Sequence, residues 1–232
     1  MKLNFLGKGC AFYPVYGNTG AYFLKGKELY LIDCGESAFE HLYRKINLDD
    51  LETVYVILTH LHADHVGSLG TLISYFYCLH GMQITVIHPE DTIEELLTLE
   101  GIDKKGYIHL KEMPENSAGL KAVPVPVKHA QDMKCYGYIL SDSEDCIYYS
   151  GDSADTPEEI KEKFLDGTIR RIYHDTSTHD SDHPSHCFYG KLEAWIPPEK
   201  RGHVYCMHLD SPCEDILKER GFQIVDVITD QT

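Results

Sequence analysis

Short apolar runs alternate along the chain with stretches whose apolar residues recur at helical spacing. "TVYVILT" (53–59) is nearly continuous in β-branched and apolar residues, which is typical of a strand buried on both faces. "SAFEHLYRKI" (37–46) has apolar residues three and four positions apart, which predicts an amphipathic helix. The other predicted strands are "KLNFLG", "AYFLK", "ELYLID", "QITVIHP", "YIHLKEM", "LKAVPVPV", "CYGYILSD", "CIYYSGD", "RIYHDTS" and "GHVYCMH". The other predicted helices are "SLGTLISYFYCLH", "DTIEELLTL", "DTPEEIKEKFL" and "SPCEDILKERG".

Residues at the ends of these segments support the helix assignments. Asp91 is a predicted N-cap, "DTP" (155–157) is a favourable helix start, and Gly221 closes the last helix. Strands alternate with helices, but a run of strands stands in the middle of the chain. This order predicts mixed sheets with helices on the outside, in the α/β class (α+β by some schemes).

Composition limits the kind of protein that this chain forms. It has 232 residues and no Pro/Gly/Ser-rich linker, so we expect one domain, 1–232. The net charge of −16 opposes general nucleic-acid binding, because phosphates are neutralised by Lys and Arg. The eight cysteines are scattered without a CxxC pair, which is typical of reduced thiols. No apolar run approaches membrane-span length and no signal peptide is evident, so we expect a cytoplasmic protein with no membrane partner.

The densest chemical motif is "THLHADHVG", which follows the predicted strand "TVYVIL". It places His60, His62, Asp64 and His65 within six positions. His60 and His62 lie on one side of an extended strand end, and Asp64 and His65 follow in the turn. This spacing can present two imidazoles to one metal and an Asp–His pair to a second, since both groups are good ligands for zinc and similar ions.

Three further polar residues follow predicted strands. His129 comes after "AVPVPVK", Asp152 after "CIYYS" and His208 after "HVYCM". Alone, each is typical of a loop or surface residue. Together with the motif they predict a metal site at strand ends.

The motif resembles the HxHxDH signature of the metallo-β-lactamase superfamily, and the three later residues fall at that superfamily's later ligand positions. The resemblance spans essentially the whole chain and implies a four-layer αββα sandwich with two divalent metal ions, Zn first and Mn or Fe as alternatives. It also implies a hydroxide held between the ions as the nucleophile. It assigns His60, His62 and His129 to one metal and Asp64, His65 and His208 to the other. It assigns Asp152 as the bridge between the two metals.

Within that superfamily the chain resembles the ribonuclease Z and phosphodiesterase branch. "YSGDS", "YHDTS" and "HPSH" are similar to later segments of that branch. The first half of the chain matches its opening pattern in kind at Gly7, Gly9, Asn18, Asp33, Cys34, Gly35 and Glu36. Asp33 is expected to orient a ligand imidazole rather than bind metal.

The resemblance assigns catalytic roles to Asp64 and to His183. His183 aligns with the histidine that is thought to assist proton transfer to the leaving oxygen. His174, His179 and His186 lie in the same histidine-rich segment, and their roles stay open.

The resemblance implies a dinuclear metal-dependent hydrolase, a phosphodiesterase acting on a small phosphodiester or on RNA. Only 152 − 129 = 23 positions separate His129 from Asp152, which leaves no room for the tRNA-gripping arm of ribonuclease Z. Hydrolysis of a carboxylic ester, thioester or lactone is an alternative for the same site, and a metal-binding sensor with little turnover is another. Relatives on this fold are often homodimers, and a homodimer is one of the states that the resemblance allows for this chain.

Overall fold

The computed structural model describes residues 1–114, 117, 119–182 and 184–228. The strands in this part of the chain are β1 Asn4–Gly7, β2 Gly20–Lys25, β3 Glu28–Ile32, β4 Thr53–Ile57, β5 Ile84–Ile87, β6 Tyr107–Leu110, β7 Lys121–Val127, β8 Cys135–Ser141, β9 Cys146–Tyr149, β10 Arg171–Asp175, β11 Val204–Met207 and β12 Gln223–Ile224. The α-helices are α1 Ala38–Lys45, α2 Ala63–Val66, α3 Leu69–His80, α4 Thr92–Leu99, α5 Glu158–Leu165, α6 Tyr189–Trp195 and α7 Glu214–Glu219.

The strands form two six-stranded mixed sheets of similar design. The first has the order β1-β2-β3-β4-β5-β6 and the second the order β12-β11-β10-β9-β8-β7. In each sheet two antiparallel pairings at one edge give way to three parallel pairings. The middle run of strands predicted from the sequence is therefore the crossing from one sheet to the other.

Strand periodicity explains why there are four layers. Leu29 and Leu31 of β3 pack with side chains of α1, α3 and α4, whereas Tyr30 and Ile32 enter a core shared with the second sheet. Successive side chains of a strand point to opposite faces, so a strand with apolar residues at every position needs cover on both sides. Tyr148 of β9 likewise packs with α5, α6 and α7 on the outer face of the second sheet. The predicted αββα sandwich is confirmed.

The structure adds elements that the sequence patterns did not reveal. Helices α2 and α6 and strand β12 were not predicted; all three are short, and α2 forms where the sequence predicts a turn for Asp64 and His65. Asp91 precedes α4 as expected, but its carboxylate accepts no hydrogen bond from the helix and instead pairs with Lys111 at 2.8 Å. Gly221 has a φ of +89°, as a closing glycine requires.

The interval between His129 and Asp152 holds the hairpin of β8 and β9 and no inserted arm. None of the helices in the described part of the chain is long and apolar enough to cross a membrane.

Candidate metal centre

The seven predicted ligands converge at one edge of the two sheets, where several strands end. His60 and His62 follow β4, His129 follows β7, Asp152 follows β9 and His208 follows β11. The carboxyl ends of parallel strands are where α/β folds place ligand sites. The short helix α2 carries the remaining two, Asp64 and His65, and turns them back towards the strand ends.

Three histidines form the first group. The Nδ1 atom of His62 lies 2.9 Å from Nε2 of His60 and 3.1 Å from Nε2 of His129. Nitrogen ligands at the usual Zn–N distance of about 2.0–2.1 Å would be separated by roughly 3.3 Å in a tetrahedron. The three nitrogens therefore have a spacing suited to one shared metal ion.

Two histidines and two aspartates form the second group. The Nε2 atom of His65 lies 3.3 Å from Oδ2 of Asp64 and 3.2 Å from Oδ1 of Asp152. The Nε2 atom of His208 lies 3.3 Å from the same two oxygens. All four side chains are buried, so their polar atoms face one another rather than water.

Asp152 lies between the groups and presents one oxygen to each. Its Oδ1 faces His65 and His208, whereas its Oδ2 lies 3.5 Å from Nε2 of His129 and 3.9 Å from Nε2 of His60. This arrangement suits a carboxylate shared by two cations.

Hydrogen bonds to the other ring nitrogen fix the orientation of these imidazoles. Nδ1 of His65 donates to Oδ2 of Asp33 at 2.8 Å, the positioning role predicted for Asp33. Thr59 Oγ1 also donates to Asp33 and lies 3.1 Å from Nδ1 of His60. Nδ1 of His129 donates to the carbonyl oxygen of Ser185 at 2.8 Å. Each bond leaves Nε2 unprotonated in the neutral imidazole and aimed into the group, as in histidines that bind metal.

Burial and neighbouring charges shift the pKa values of the histidines in opposite directions in the two ligand groups. Burial holds the pKa of His60 well below its usual value, and it also lowers the pKa of His129. Burial alone would lower the pKa values of His65 and His208 too, but the carboxylate of Asp152 raises both well above the usual value. Burial would raise the pKa of Asp152, and the surrounding histidines hold it well below its usual range instead.

The residues fit a divalent metal on two observations. Nε2 of His65 and Oδ1 of Asp152 are buried and lack a hydrogen bond of acceptable geometry within the described part of the chain. A buried polar atom without a partner is costly, and a cation between these atoms would satisfy both. Imidazole nitrogens with carboxylate oxygens are also a donor set for zinc and neighbouring transition metals.

A further pair at the site was not singled out from the sequence. Nδ1 of His186 donates to Oδ2 of Asp175 at 2.8 Å. Oδ1 of Asp175 lies 3.5 Å from Nδ1 of His208, so this buried carboxylate faces two histidines. Burial would lower the pKa of His186, but the charge of Asp175 raises it above its usual value.

His183, the predicted proton donor, lies outside the described residues, and its role stays a prediction. His174 and His179 of the same segment belong to neither metal group. His174 is buried and its Nε2 atom lies 2.9 Å from Thr156 Oγ1. His179 is exposed and contacts Asp210 at 3.0 Å.

One cavity of about 600 Å³ opens over both groups. Its polar lining includes His62, Asp64, His129, Asp152, His186 and His208, and its apolar lining includes Cys10, Ala11 and Phe12. A second cavity of about 600 Å³ lies around Asp145, Arg171 and Lys200 and contains none of the residues of the two groups. The substrate-sized space at the site is therefore the first cavity.

Local backbone geometry holds the motif close to its supports. A side-chain carbon on Gly35 would overlap the backbone carbonyl of Asp64, so only glycine fits there. Asp33 and His208 have positive φ values of 59° and 57°, which are uncommon outside glycine and tend to occur at functional sites.

Sequence comparison finds one family across nearly the whole chain. The family model described as "Anti-Pycsar protein Apyc1" matches residues 1–226. The Anti-Pycsar protein Apyc1 of Saccharibacillus brassicae is 28% identical over 236 residues, which cover 95% of each chain. The protein of the same name from Bacillus phage 010DV004 is 27% identical over 250 residues, which cover 95% of this chain and 93% of its own.

Structural comparison finds the same architecture in solved proteins. The metallo-β-lactamase fold protein YhfI from Bacillus subtilis has a TM-score of 0.75 at 17% identity, and a diphosphatase of the PhnP family has 0.75 at 20%; each match covers 99% of this chain and 96% of the other. Human tRNase Z, short form, has a TM-score of 0.68 at 16% identity over 100% of both chains. The metallo-β-lactamase fold and the likeness to ribonuclease Z are confirmed. The clustered histidines and aspartates on this fold form groups that could hold divalent metal ions.

Proposed function

Because the chain belongs to the Anti-Pycsar protein Apyc1 family of the metallo-β-lactamase superfamily, we propose that it is a dinuclear metal-dependent phosphodiesterase that hydrolyses a small cyclic nucleotide. The observation that carries the proposal is the position of Asp152, which offers one oxygen to each of two ligand groups on the lining of a single cavity. Two metals suit this chemistry because both the attacking and the departing oxygen of a phosphodiester need stabilisation.

The proposed ligand assignment follows the two groups. His60, His62 and His129 would hold one metal, Asp64, His65 and His208 would hold the other, and Asp152 would serve both. When bound, the metals supply Lewis-acid charge for the phosphoryl oxygens and bring the pKa of a coordinated water towards neutrality. Zinc is the proposed metal because the donor set is rich in imidazole, with manganese and iron as alternatives.

The proposed proton donor is His186. Hydrolysis forms one P–O bond to water and breaks one ester P–O bond, so the departing alkoxide must gain a proton. His186 lines the cavity, is partly exposed and has Nδ1 held by Asp175, which leaves its Nε2–H for donation when the ring is charged. Asp175 positions this ring and His208 together, since its two oxygens face one histidine each.

Three features support a small substrate over RNA. The cavity of about 600 Å³ is the size of a nucleotide site. The short β8–β9 hairpin replaces an RNA-gripping arm, and the net charge of −16 disfavours a long polyanion. The name anti-Pycsar, carried by the relatives, supports a cyclic nucleotide as that small phosphodiester.

A substrate panel tests the proposal. Zinc-, manganese- and iron-loaded protein would be assayed against 3′,5′-cyclic nucleotides, a short RNA, a thioester and a lactone. We expect ring opening of the cyclic nucleotides to give nucleoside monophosphates, with turnover far above that on the other substrates. Turnover confined to the thioester or lactone would contradict a phosphodiesterase, and turnover confined to the RNA would contradict the small substrate.

A further inference from the structure

An exposed aromatic ring stands at the rim of the cavity that holds the metal groups. Phe12 is 96% exposed and lines this cavity together with Cys10 and Ala11. Burying a phenylalanine side chain stabilises a protein, so leaving one in water forgoes that stabilisation. A ligand with an apolar face would pack against this ring when it enters the cavity.

Hydrogen bonds hold the backbone that carries this ring in a defined place. Tyr13 N donates to Cys10 O at 3.1 Å, which closes a turn with Ala11 and Phe12 as its central residues. Cys10 N donates to Leu209 O at 3.1 Å, immediately after His208. The turn that carries Phe12 is thus tied to the strand end that carries a proposed metal ligand.

The rest of the cavity lining offers no other ring for stacking. Among the described residues that line it, Phe12 is the sole aromatic side chain apart from histidines. The histidines of the lining are engaged in other interactions. His62, His129 and His208 belong to the metal groups, and His186 is hydrogen-bonded to Asp175. A nucleobase in this cavity therefore has one free aromatic partner.

We propose that Phe12 stacks on the base of the bound cyclic nucleotide and sets the affinity for nucleotides over base-free phosphodiesters. This inference rests on the proposed function. The metal groups bind the cyclic phosphate, which is common to all such substrates, and the Phe12 ring binds the face of the base. Stacking tolerates any base because every base has a π-face, so both purine and pyrimidine cyclic nucleotides are accepted.

The test compares Phe12→Ala, Phe12→Tyr and wild type on a 3′,5′-cyclic nucleotide and on a base-free cyclic ribose phosphate. Val15→Ala is the matched control, since Val15 is 79% exposed on the following segment but does not line the cavity. We expect Phe12→Ala to raise KM for the nucleotide roughly 5- to 100-fold. Metal content, kcat and KM for the base-free substrate should stay near wild type, and Phe12→Tyr and Val15→Ala should behave like wild type.

A second readout reports stacking without turnover. In Phe12→Trp, the fluorescence of the introduced indole should be quenched by a slowly hydrolysed phosphorothioate analogue of the nucleotide. Wild type, whose single tryptophan packs against Phe164, should show little change. An unchanged nucleotide KM in Phe12→Ala, or an equal rise on the base-free substrate, would overturn the stacking role while leaving the phosphodiesterase intact. A wild-type protein that hydrolyses no cyclic nucleotide would overturn both proposals.

Discussion

The Nδ1 atom of His186 lies 2.8 Å from the Oδ2 atom of Asp175, and a carboxylate oxygen can only accept, so the imidazole donates this bond. The pair lies beside the metal groups, since Oδ2 of Asp152 is 3.9 Å from the same ring nitrogen. The remaining ring nitrogen of His186 is therefore available to a substrate in the cavity.

Replacing His186 tests its role as proton donor. His186→Ala should lower turnover of a cyclic nucleotide by roughly 10²–10⁴-fold, the usual effect of losing a general acid. The loss should shrink on a substrate whose leaving group is p-nitrophenolate, which needs little protonation. Metal content should stay at the wild-type level, because His186 lies outside the seven proposed ligands.

The matched control is His203→Ala, because His203 is an exposed histidine that lines the other cavity. It should retain wild-type turnover. Equal losses in His186→Ala on good and poor leaving groups would assign His186 to substrate binding instead.

Replacing Asp175 tests how His186 is tuned. Asp175 raises the pKa of His186, so Asp175→Asn should lower that pKa towards its usual value. A general acid works only while protonated, so turnover should be lost at a lower pH than in wild type as the pH rises. The measurement is kcat against pH, with metal content checked at each pH. If kcat fell at the same high pH as in wild type, Asp175 would not tune the proton donor.

Removing Asp152 tests the shared carboxylate. Asp152→Ala should abolish turnover and weaken metal binding in both groups together, because one oxygen faces each group. Elemental analysis after dialysis should give well below one metal per chain. Full metal content with normal turnover would contradict the bridging assignment.

Gly35 tests how tightly the motif is supported. Gly35→Ala forces a methyl group onto the carbonyl of Asp64, and such overpacking destabilises proteins by about 1–3 kcal/mol. The melting temperature should fall by several degrees. Gly202→Ala is the control, because a methyl group there meets no atom within 4 Å and should leave the melting temperature unchanged.

Most strands and helices of the sandwich, and the grouping of the motif residues, could be predicted because both depend on residues that are close together in the sequence. β4 is apolar and buried from Val54 to Ile57, and His60, His62, Asp64 and His65 span six positions shortly after it, at the strand end and on the short helix α2. His129, Asp152 and His208 were found because each follows a recognisable strand. Their assignment as ligands stays a prediction that the geometry makes testable.

His186, the proposed proton donor, could not be singled out from the sequence in the same way. The segment from Thr178 to His186 has no strand or helix periodicity, so the sequence offers no register by which to choose between the two histidines of "HPSH". Hydrogen bonds of Ser177 with Cys187 and Tyr189 close the segment and bring His186 to Asp175. The exposure of Phe12 could not be predicted from its neighbours in the sequence either, since an apolar residue in a loop can be buried or exposed.

Metal titration of the metal-free protein, followed by cyclic-nucleotide hydrolysis, tests the central claim most directly. If two metals act together across Asp152, turnover should rise as zinc is added and reach its plateau at two equivalents per chain. A plateau at one equivalent, or no hydrolysis at any metal content, would contradict a dinuclear phosphodiesterase.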